Sequence, residues 1–343
     1  MRQINNHLKN NFLKRIFVKI CRILGYELID QNNLTITTLN KKLGETTSLA
    51  GQKSINIPLG EVKITRKVEN LDIIIRTCTN VKMLTQNKER IFEKEKLEYT
   101  LKTINSIVGS ITEAKKFFDI EINLIVVDHN SSKDNINRIK NLLSFHEINF
   151  RFINLDIKEF YEEISKKNEQ NEKVINNQLS NMSNIRKSFE LSKSSSDLVY
   201  FVEDDYLHKK DSLKEMLFAY ERISSQTKNE LIICPADYPY LYSKIENTEI
   251  YLGEKYHWRK VNETLCTFLT SKKILNRHWE KFLSLTKFEH YPFEKPLHEI
   301  YKKELCISPI PSLAIHLTNI NSIYGISPNV DFKKIWFEND IKY

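Results

Sequence analysis

The chain of 343 residues has 41% apolar and 28% charged side chains, which is enough for one large packed domain or two ordinary ones. Glycine is scarce, and none lies between Gly109 and Gly253, which excludes a P-loop or a G-x-G-x-x-G turn there; neither motif occurs elsewhere. The five cysteines are scattered, which disfavours a disulfide framework or a zinc site. The net charge is +8, but part of this excess lies near the N-terminus, which disfavours a nucleic-acid-binding surface spread over the whole protein.

Residues 1–30 are predicted to contain a basic amphipathic helix. Apolar side chains recur every four positions in residues 8–24, and residues 1–26 contain six bases and no acid. This pattern suits binding to an anionic membrane surface, although a helix packed on the domain or on a partner would share it. No apolar stretch reaches about 18 residues and no signal peptide is recognisable, so we expect a cytoplasmic protein, peripheral on the inner face of the membrane.

Residues 31–69 are predicted to form a linker followed by a short strand or hairpin, and strands and helices alternate thereafter. The predicted strands are residues 71–76, 122–127, 149–155, 198–202 and 230–234. The predicted helices are residues 89–117, 133–144, 182–193 and 211–225. This alternation predicts an α/β fold, with a mostly parallel central sheet flanked by helices.

Acidic side chains follow one of these strands directly. Glu203 and Asp205 are two positions apart, so extended backbone would turn both toward one cleft and Asp204 away from it. Two carboxylates at the carboxyl end of a strand suit Mn²⁺ or Mg²⁺ completed by substrate phosphates. The alternative is a solvated acidic turn before the next helix.

The order of these segments resembles that of glycosyltransferases of the GT-A (Rossmann-like) fold, especially the family-2-like members. The segments that carry the resemblance are IIIRTCTN (73–80), VVDHNSSKD (126–134), NIRKSFELSKSSSD (184–197) and FVEDDY (201–206). The resemblance covers residues 70–235 well and 236–320 loosely. It departs from the family at His129 and Asn130, which replace an Asp and a Gly, at Glu203, which replaces the first Asp of the DXD motif, and before the DXD strand, where serines replace the usual glycine.

The resemblance implies a metal-dependent hexosyltransferase that uses a UDP- or GDP-linked sugar and a glycan or lipid-linked acceptor, as in polysaccharide biosynthesis. Residues 70–235 would bind the donor and 236–320 the acceptor. The implied donor-binding residues are Arg76, Thr77, Asp128, Arg186, Glu203 and Asp204. The implied metal ligands are Asp205, Glu203 and His316.

The acceptor half is rich in aromatic residues, which could either line a sugar pocket or build core. Trp258 and Thr267 are the predicted acceptor-binding residues. An inverting transferase needs a general base, for which Asp237, Glu294 and Glu299 are candidates, with Glu299 slightly preferred over Asp237. Residues 321–343 are predicted to form a tail or lid.

Other functions stay open at this point. A metal-dependent nucleotidyltransferase would share the sheet but normally needs a glycine-rich phosphate loop. A nuclease would need a broad basic groove, whereas the clearest basic cluster lies in the N-terminal helix. A non-catalytic carbohydrate-binding module on a GT-A scaffold would not need the Glu203–Asp205 pair.

Overall fold

The computed structural model describes residues 12–26, 48–56, 60–80, 91–146, 148–243, 248–317 and 323–341. The chain forms two compact units, Met1–Gly44 and Glu45–Tyr343. The described part of the first unit is helix α1 (Phe12–Ile23) with the turn after it, while the start of the predicted helix and most of the predicted linker lie outside the described residues. No described helix is long and apolar enough to cross a membrane.

The second unit contains an α/β domain. Its strands are β1 (Ser48–Leu49), β2 (Lys53–Asn56), β3 (Gly60–Lys63), β4 (Asn70–Thr77), β5 (Glu121–Asp128), β6 (Phe150–Asn154), β7 (Leu198–Glu203), β8 (Tyr206–His208), β9 (Leu231–Ile233), β10 (Ile250–Leu252), β11 (His257–Lys260), β12 (Phe268–Ser271), β13 (Leu305–Ile310) and β14 (Ala314–His316). Its α-helices are α2 (Lys96–Ala114), α3 (Lys133–Phe145), α4 (Asn176–Ser192), α5 (Ser212–Thr227), α6 (Lys272–Arg277), α7 (Trp279–Ser284), α8 (Lys295–Tyr301) and α9 (Phe332–Glu338).

The central sheet has the strand order β10-β11-β13-β9-β12-β7-β4-β5-β6. Strands β6, β5, β4 and β7 are parallel, as are β9 and β13, whereas β12 is antiparallel to both of its neighbours. The parallel group places its third, second, first and fourth strands side by side, which is the order of a doubly wound sheet. The predicted fold class is therefore confirmed.

The sheet is covered by helices on both faces, which explains why its central strands are continuous apolar runs. On β4, Ile73 and Ile75 face a core layer that includes α2, α3 and α5, while Ile74 faces a second layer built with α4, α6, α7 and α8. All three isoleucines are completely buried.

The segment predicted as a C-terminal tail or lid is packed over part of its length. Helix α9 buries Ile335 and Trp336 in a third apolar cluster, which also contains Tyr99 of α2 and Leu207 of β8. Because Trp336 lies against Tyr99 with a ring-centroid distance of 5.1 Å, this part of the C-terminus belongs to the domain core.

Candidate active site

The carboxyl ends of the central strands bring several of the predicted site residues together. In the sheet register, Thr77 on β4 is opposite Asp128 on β5, and Arg76 is opposite Glu203 on β7. Strand β12 runs the other way, so the residue before it, Thr267, reaches the same edge. The Thr267 hydroxyl accepts from the Glu203 backbone N–H (3.1 Å) and donates to Glu203 Oε2 (3.2 Å).

Asp128 is the centre of a small hydrogen-bonded cluster. Its Oδ1 accepts hydrogen bonds from the hydroxyls of Thr77 (2.7 Å) and Ser131 (2.6 Å). Burial raises the pKa of Asp128, while these hydrogen bonds act in the opposite direction. Asn130 has a φ of 64°, in the left-handed region that asparagine tolerates. The turn can therefore form although the residue that resembles the family's glycine is an asparagine.

Helix α4 holds this cluster in place through residues that could not be identified from the sequence. The Asn184 side-chain amide donates to the carbonyls of Val127 (3.2 Å) and Thr77 (3.4 Å), and so joins α4 to the ends of β4 and β5. The Ser180 hydroxyl lies 2.5 Å from His129 Nδ1. A helical stretch of polar residues carries no signal in the sequence that separates such contacts from a solvated surface.

Arg186, which was expected near the nucleotide, has other partners. Its guanidinium pairs with Glu163 and with Glu190, one turn further along α4 at 3.4 Å. The arginine found at the strand ends is Arg76. Its Nη1 donates to Asn181 Oδ1 at 3.0 Å, and its Nη2 lies 3.0 Å from Glu203 Oε1.

The Arg76–Glu203 pair is close in distance, but its angles are not those of a hydrogen bond. Among the described residues, Arg76 Nη2 is a buried nitrogen without a hydrogen-bond acceptor. We therefore treat the contact as an ion pair in which one N–H of Arg76 still lacks an acceptor. Such a group can receive an anionic oxygen of a ligand.

Glu294, the residue before helix α8, is close enough to this ion pair to interact with both of its charges. Burial and the negative charge of Glu203 raise the pKa of Glu294 to about 7, and the positive charge of Arg76 only partly opposes the shift. A carboxyl group with a pKa near neutrality is suited to exchange a proton with a substrate.

The other two carboxylates considered as bases have different surroundings. Glu299 is exposed on α8 and pairs with Lys281 Nζ at 2.6 Å, which lowers its pKa. Asp237 is completely buried, and its oxygens accept from Arg259 (2.7 Å) and Tyr242 (2.5 Å). Glu294, rather than the slightly preferred Glu299, therefore lies beside the strand-end residues.

Asp204 and Asp205 do not continue the strand, although the prediction that Glu203 and Asp205 share one face requires extended backbone. Strand β7 ends at Glu203, and residues 204–205 form a turn before β8. Glu203 contacts Arg76 and Thr267, whereas Asp205 lies 3.7 Å from His316 Nε2. The two carboxylates thus have separate partners, because the turn breaks the two-residue period.

Asp204, which was grouped with the donor-binding residues, faces helix α2. It accepts from the Cys78 backbone N–H (3.2 Å) and the Thr100 hydroxyl (2.9 Å), and lies 2.6 Å from Lys96 Nζ. These contacts on the α2 side leave Asp204 anchored to the scaffold.

His316 is brought to Asp205 by a short antiparallel pairing of two strands that are distant in sequence. Strand β14 pairs antiparallel with β8, so that His316 is opposite Tyr206, and the two rings stack at 4.7 Å. His316 Nδ1 lies 3.2 Å from the Tyr324 carbonyl, which can only accept, so Nδ1 carries the proton in the neutral ring. The lone pair on Nε2 then faces Asp205 Oδ1.

This arrangement fits a divalent cation at two ligand positions. Two lone-pair donors that face each other across 3.7 Å are joined favourably by a cation, and an imidazole with a carboxylate suits Mn²⁺. Among the described residues, no group of three or more His, Cys, Asp and Glu side chains is arranged to hold a metal. Further ligands would have to come from water or substrate.

Trp258, predicted to bind the acceptor, is completely buried in the core. A Cβ at Gly253 would lie 2.4 Å from its indole Nε1, so glycine is required for the close approach. Because its ring has no exposed face, Trp258 cannot stack on a sugar in this conformation.

Comparison with known proteins gives distant structural similarities. No family model and no curated protein matches the sequence. The fold is similar to S. aureus TarS 1-349, with 12% identity, a TM-score of 0.39, and coverage of 70% of this chain and 57% of that one. It is also similar to the galactosyltransferase LgtC in complex with donor and acceptor sugar analogues, with 13% identity, a TM-score of 0.32 and coverage of 69% and 86%.

A nucleotide-binding protein of another kind is among the similar structures as well. UTP-bound UGPase from Acinetobacter baumannii shows 9% identity and a TM-score of 0.40, with coverage of 79% of this chain and 92% of that one. The chain spans 57% of the TarS structure, little more than half. At such low identities and TM-scores these similarities carry no weight for function, which has to be inferred from the site itself.

Proposed function

We propose that the protein is a glycosyltransferase of the hexosyltransferase type, which moves a sugar from a UDP- or GDP-linked donor to a glycan or lipid-linked acceptor with inversion. The main support is the position of Glu294 beside the Arg76–Glu203 pair, at the sheet edge that also carries Asp128. A carboxyl group whose pKa is about 7 is about half ionised at neutral pH, and its ionised form is basic enough to accept a proton.

The donor would bind along the ends of β4, β5 and β7. Asp128, held by Thr77 and Ser131, offers fixed carboxylate oxygens to N–H or O–H groups of the nucleoside. Arg76 offers an N–H without an acceptor to the diphosphate, and a guanidinium suits phosphate oxygens because its donors form a planar fork. No glycine-rich loop is present in the middle of the chain to take over this role.

A divalent cation, Mn²⁺ or Mg²⁺, would be held by Asp205 and His316, with its other positions filled by water or by the diphosphate. When bound, such a cation holds the diphosphate and stabilises negative charge on the leaving nucleotide.

The transfer itself would use Glu294 as general base. Its carboxylate removes the proton from an acceptor hydroxyl as that oxygen forms a bond to the anomeric carbon of the donor sugar. The bond from that carbon to the diphosphate oxygen breaks at the same time, and its electron pair leaves with the nucleoside diphosphate. The burial and the charge of Glu203 that raise the pKa of Glu294 are what make it basic enough for this step.

Thermal melting with a panel of UDP- and GDP-sugars and Mn²⁺ tests the proposal. We expect at least one donor to raise the melting temperature, and EDTA or the Asp205→Ala substitution to remove the metal-dependent part of the shift. The exposed Asp119 gives a matched control, since Asp119→Ala removes an acid away from the site and should leave the shift intact.

Two results would contradict the proposal. Absence of a shift with every donor would favour a module without nucleotide-sugar chemistry. Formation of a nucleoside triphosphate from nucleotide sugar and added pyrophosphate would identify a nucleotidyltransferase instead.

We further propose that α1 binds an anionic membrane surface. Phe17, Ile20 and Ile23 are 59%, 49% and 76% exposed, and the helix contains four bases and no acid. An exposed apolar stripe beside a basic face matches the interface of a bilayer with anionic lipids. Co-sedimentation with phosphatidylglycerol-containing vesicles should exceed that with pure phosphatidylcholine and should fall with salt. Equal binding to both would contradict the electrostatic part.

A further inference from the structure

Lys96 occupies an unusual position for a lysine. It is the first residue of α2, its side chain is only 10% exposed, and its Nζ lies 2.6 Å from Asp204 and 3.5 Å from Asp205. A cation in the first turn of a helix opposes the positive end of the helix dipole. The two carboxylates of the acidic turn attract the Lys96 ammonium group and so offset this unfavourable interaction.

The two carboxylates differ in what they can do for Lys96. Asp204 is anchored by three donors, one of which is Lys96 itself, and so fixes the ammonium group. Asp205 directs Oδ2 toward Lys96 and Oδ1 toward His316 Nε2. A cation between Asp205 and His316 would share the Asp205 carboxylate with an ammonium group that is already in place.

We propose that Lys96 prevents tight binding of a divalent cation until a nucleoside diphosphate is present, an inference that rests on the proposed function. At the acidic turn, Asp204 and Asp205 contribute two negative charges and Lys96 contributes one positive charge, which repels a cation bound at Asp205. The negative charge of a bound diphosphate would offset this repulsion, so cation and nucleotide would bind cooperatively.

Lys96 is a positioning residue in this scheme, because it acts on the cation through Asp205. The same physical argument gives a sign to each substitution. Removal of the ammonium group lowers the repulsion felt by a cation at Asp205, and so strengthens metal binding in the absence of nucleotide. A conservative change to arginine keeps the charge and should keep the weak binding.

Calorimetric titration of Mn²⁺ into the full chain without nucleotide tests this. We expect Lys96→Met to bind Mn²⁺ about tenfold more tightly than the wild type, since a full positive charge near a dication is removed. Lys96→Arg should behave as the wild type. Lys94→Met is the matched control, because this substitution removes the same charge from an exposed lysine two residues earlier.

A second titration, with UDP and with GDP, measures the coupling. The wild type should bind Mn²⁺ much more tightly when the nucleotide is present, and this enhancement should be smaller in Lys96→Met. Lys96→Gln, which keeps a donor for Asp204, serves if Lys96→Met does not fold, and circular dichroism melting reports folding for each variant.

Unchanged or weaker Mn²⁺ binding in both Lys96→Met and Lys96→Gln would overturn the inference, because Lys96 would then organise Asp205 rather than exclude the cation. Loss of UDP or GDP binding in EDTA on substitution would also overturn it, since Lys96 would then contact the nucleotide directly. Failure of the wild type to bind any nucleotide is a separate result, which contradicts the proposed glycosyltransferase and leaves the comparison of Mn²⁺ affinities readable.

Discussion

The two edges of the central sheet hold glutamates that ionise very differently. At the carboxyl edge, burial and the charge of Glu203 raise the pKa of Glu294 to about 7. At the amino edge, burial acts on Glu230 in the same direction, but hydrogen bonds from Tyr220, Arg66 and Lys273 outweigh it and lower the pKa to about 2. The difference comes from the partners, not from the burial.

The amino edge is built as a closed network. Arg66 lies 2.5 Å from Asp197 and 3.1 Å from Glu230, and the Tyr220 hydroxyl donates to Glu230 at 2.6 Å. The negative charges at this edge therefore face donors within the protein. At the carboxyl edge, by contrast, Glu294 faces another carboxylate and Arg76 keeps an N–H without an acceptor among the described residues. The paired charges at the amino edge stabilise the fold, whereas the carboxyl edge keeps groups that a ligand can satisfy.

The largest effect should follow from Glu294→Gln. Loss of the base should lower the transfer rate about 1000-fold, within the range for general-base catalysis, while donor binding persists. In the wild type, the rate should rise with pH through about 7 as Glu294 ionises. Release of nucleoside diphosphate from the donor, followed against pH, measures both.

The same variant should be less active but, at high pH, more stable than the wild type. Because the folded-state pKa of Glu294 is raised, the wild type loses stability as pH rises from about 4.5 through about 7, and glutamine does not. Glu294→Gln should therefore melt about 5 °C higher at pH 8 and no higher at pH 4. Glu299→Gln is the control, since Glu299 is exposed and paired with Lys281. If Glu299→Gln lost as much activity as Glu294→Gln, the assignment of Glu294 as the general base would be contradicted.

A smaller effect, of the other kind, should follow from Arg66→Ala. This substitution leaves Asp197 and Glu230 as buried charges without their main partner, and should lower the free energy of unfolding by about 3 kcal/mol. The rate per folded molecule should be unchanged. Urea denaturation provides the measurement, and Lys273→Ala, whose side chain is 69% exposed, should change stability by about 0.5 kcal/mol or less. A large loss of catalytic rate in Arg66→Ala would contradict the view that the amino edge stabilises the fold and only the carboxyl edge acts on a ligand.

The smallest effect concerns acid. The pKa of Glu230 is lowered in the folded state, so its stabilising contribution is present above about pH 4.5 and disappears as pH falls toward 2. Glu230→Gln should lose about 2 kcal/mol at pH 7 relative to the wild type and much less near pH 2. Urea midpoints of both proteins at several pH values between 2 and 7 provide the measurement. If Glu230 contributes no such pH dependence, the two midpoints will differ by the same amount at every pH.

The sequence was most informative where the signal is local. The apolar runs at residues 71–76 and 122–127 correspond to β4 and β5 with one more residue at each end, because a strand buried on both faces reads as continuous hydrophobicity. The predicted helix at 133–144 matches α3, which has Ser132 as its N-cap residue.

The candidate site could be predicted only in part. Asp128 and Glu203 could be placed because they follow strands directly, whereas His316 meets Asp205 through the pairing of β14 with β8, residues more than a hundred positions apart. Glu294 precedes α8 and Glu299 lies within it, and local sequence cannot tell which of them lies near the Arg76–Glu203 pair. The turn at residues 204–205 also interrupts the extended backbone, on which the prediction that Glu203 and Asp205 face one cleft depends.

The reversed strand β12 has a consequence for how such a protein can diverge. At its start Thr267 is bonded to Glu203, and just beyond its end Lys272 donates its backbone N–H to the Asp197 carbonyl (2.7 Å) while Lys273 Nζ reaches Glu230 (2.9 Å). Four residues thus connect the two edges. Insertions that lead into β12 are confined to the residues before Thr267, because a one-residue shift within the strand would exchange its two faces and detach both ends at once.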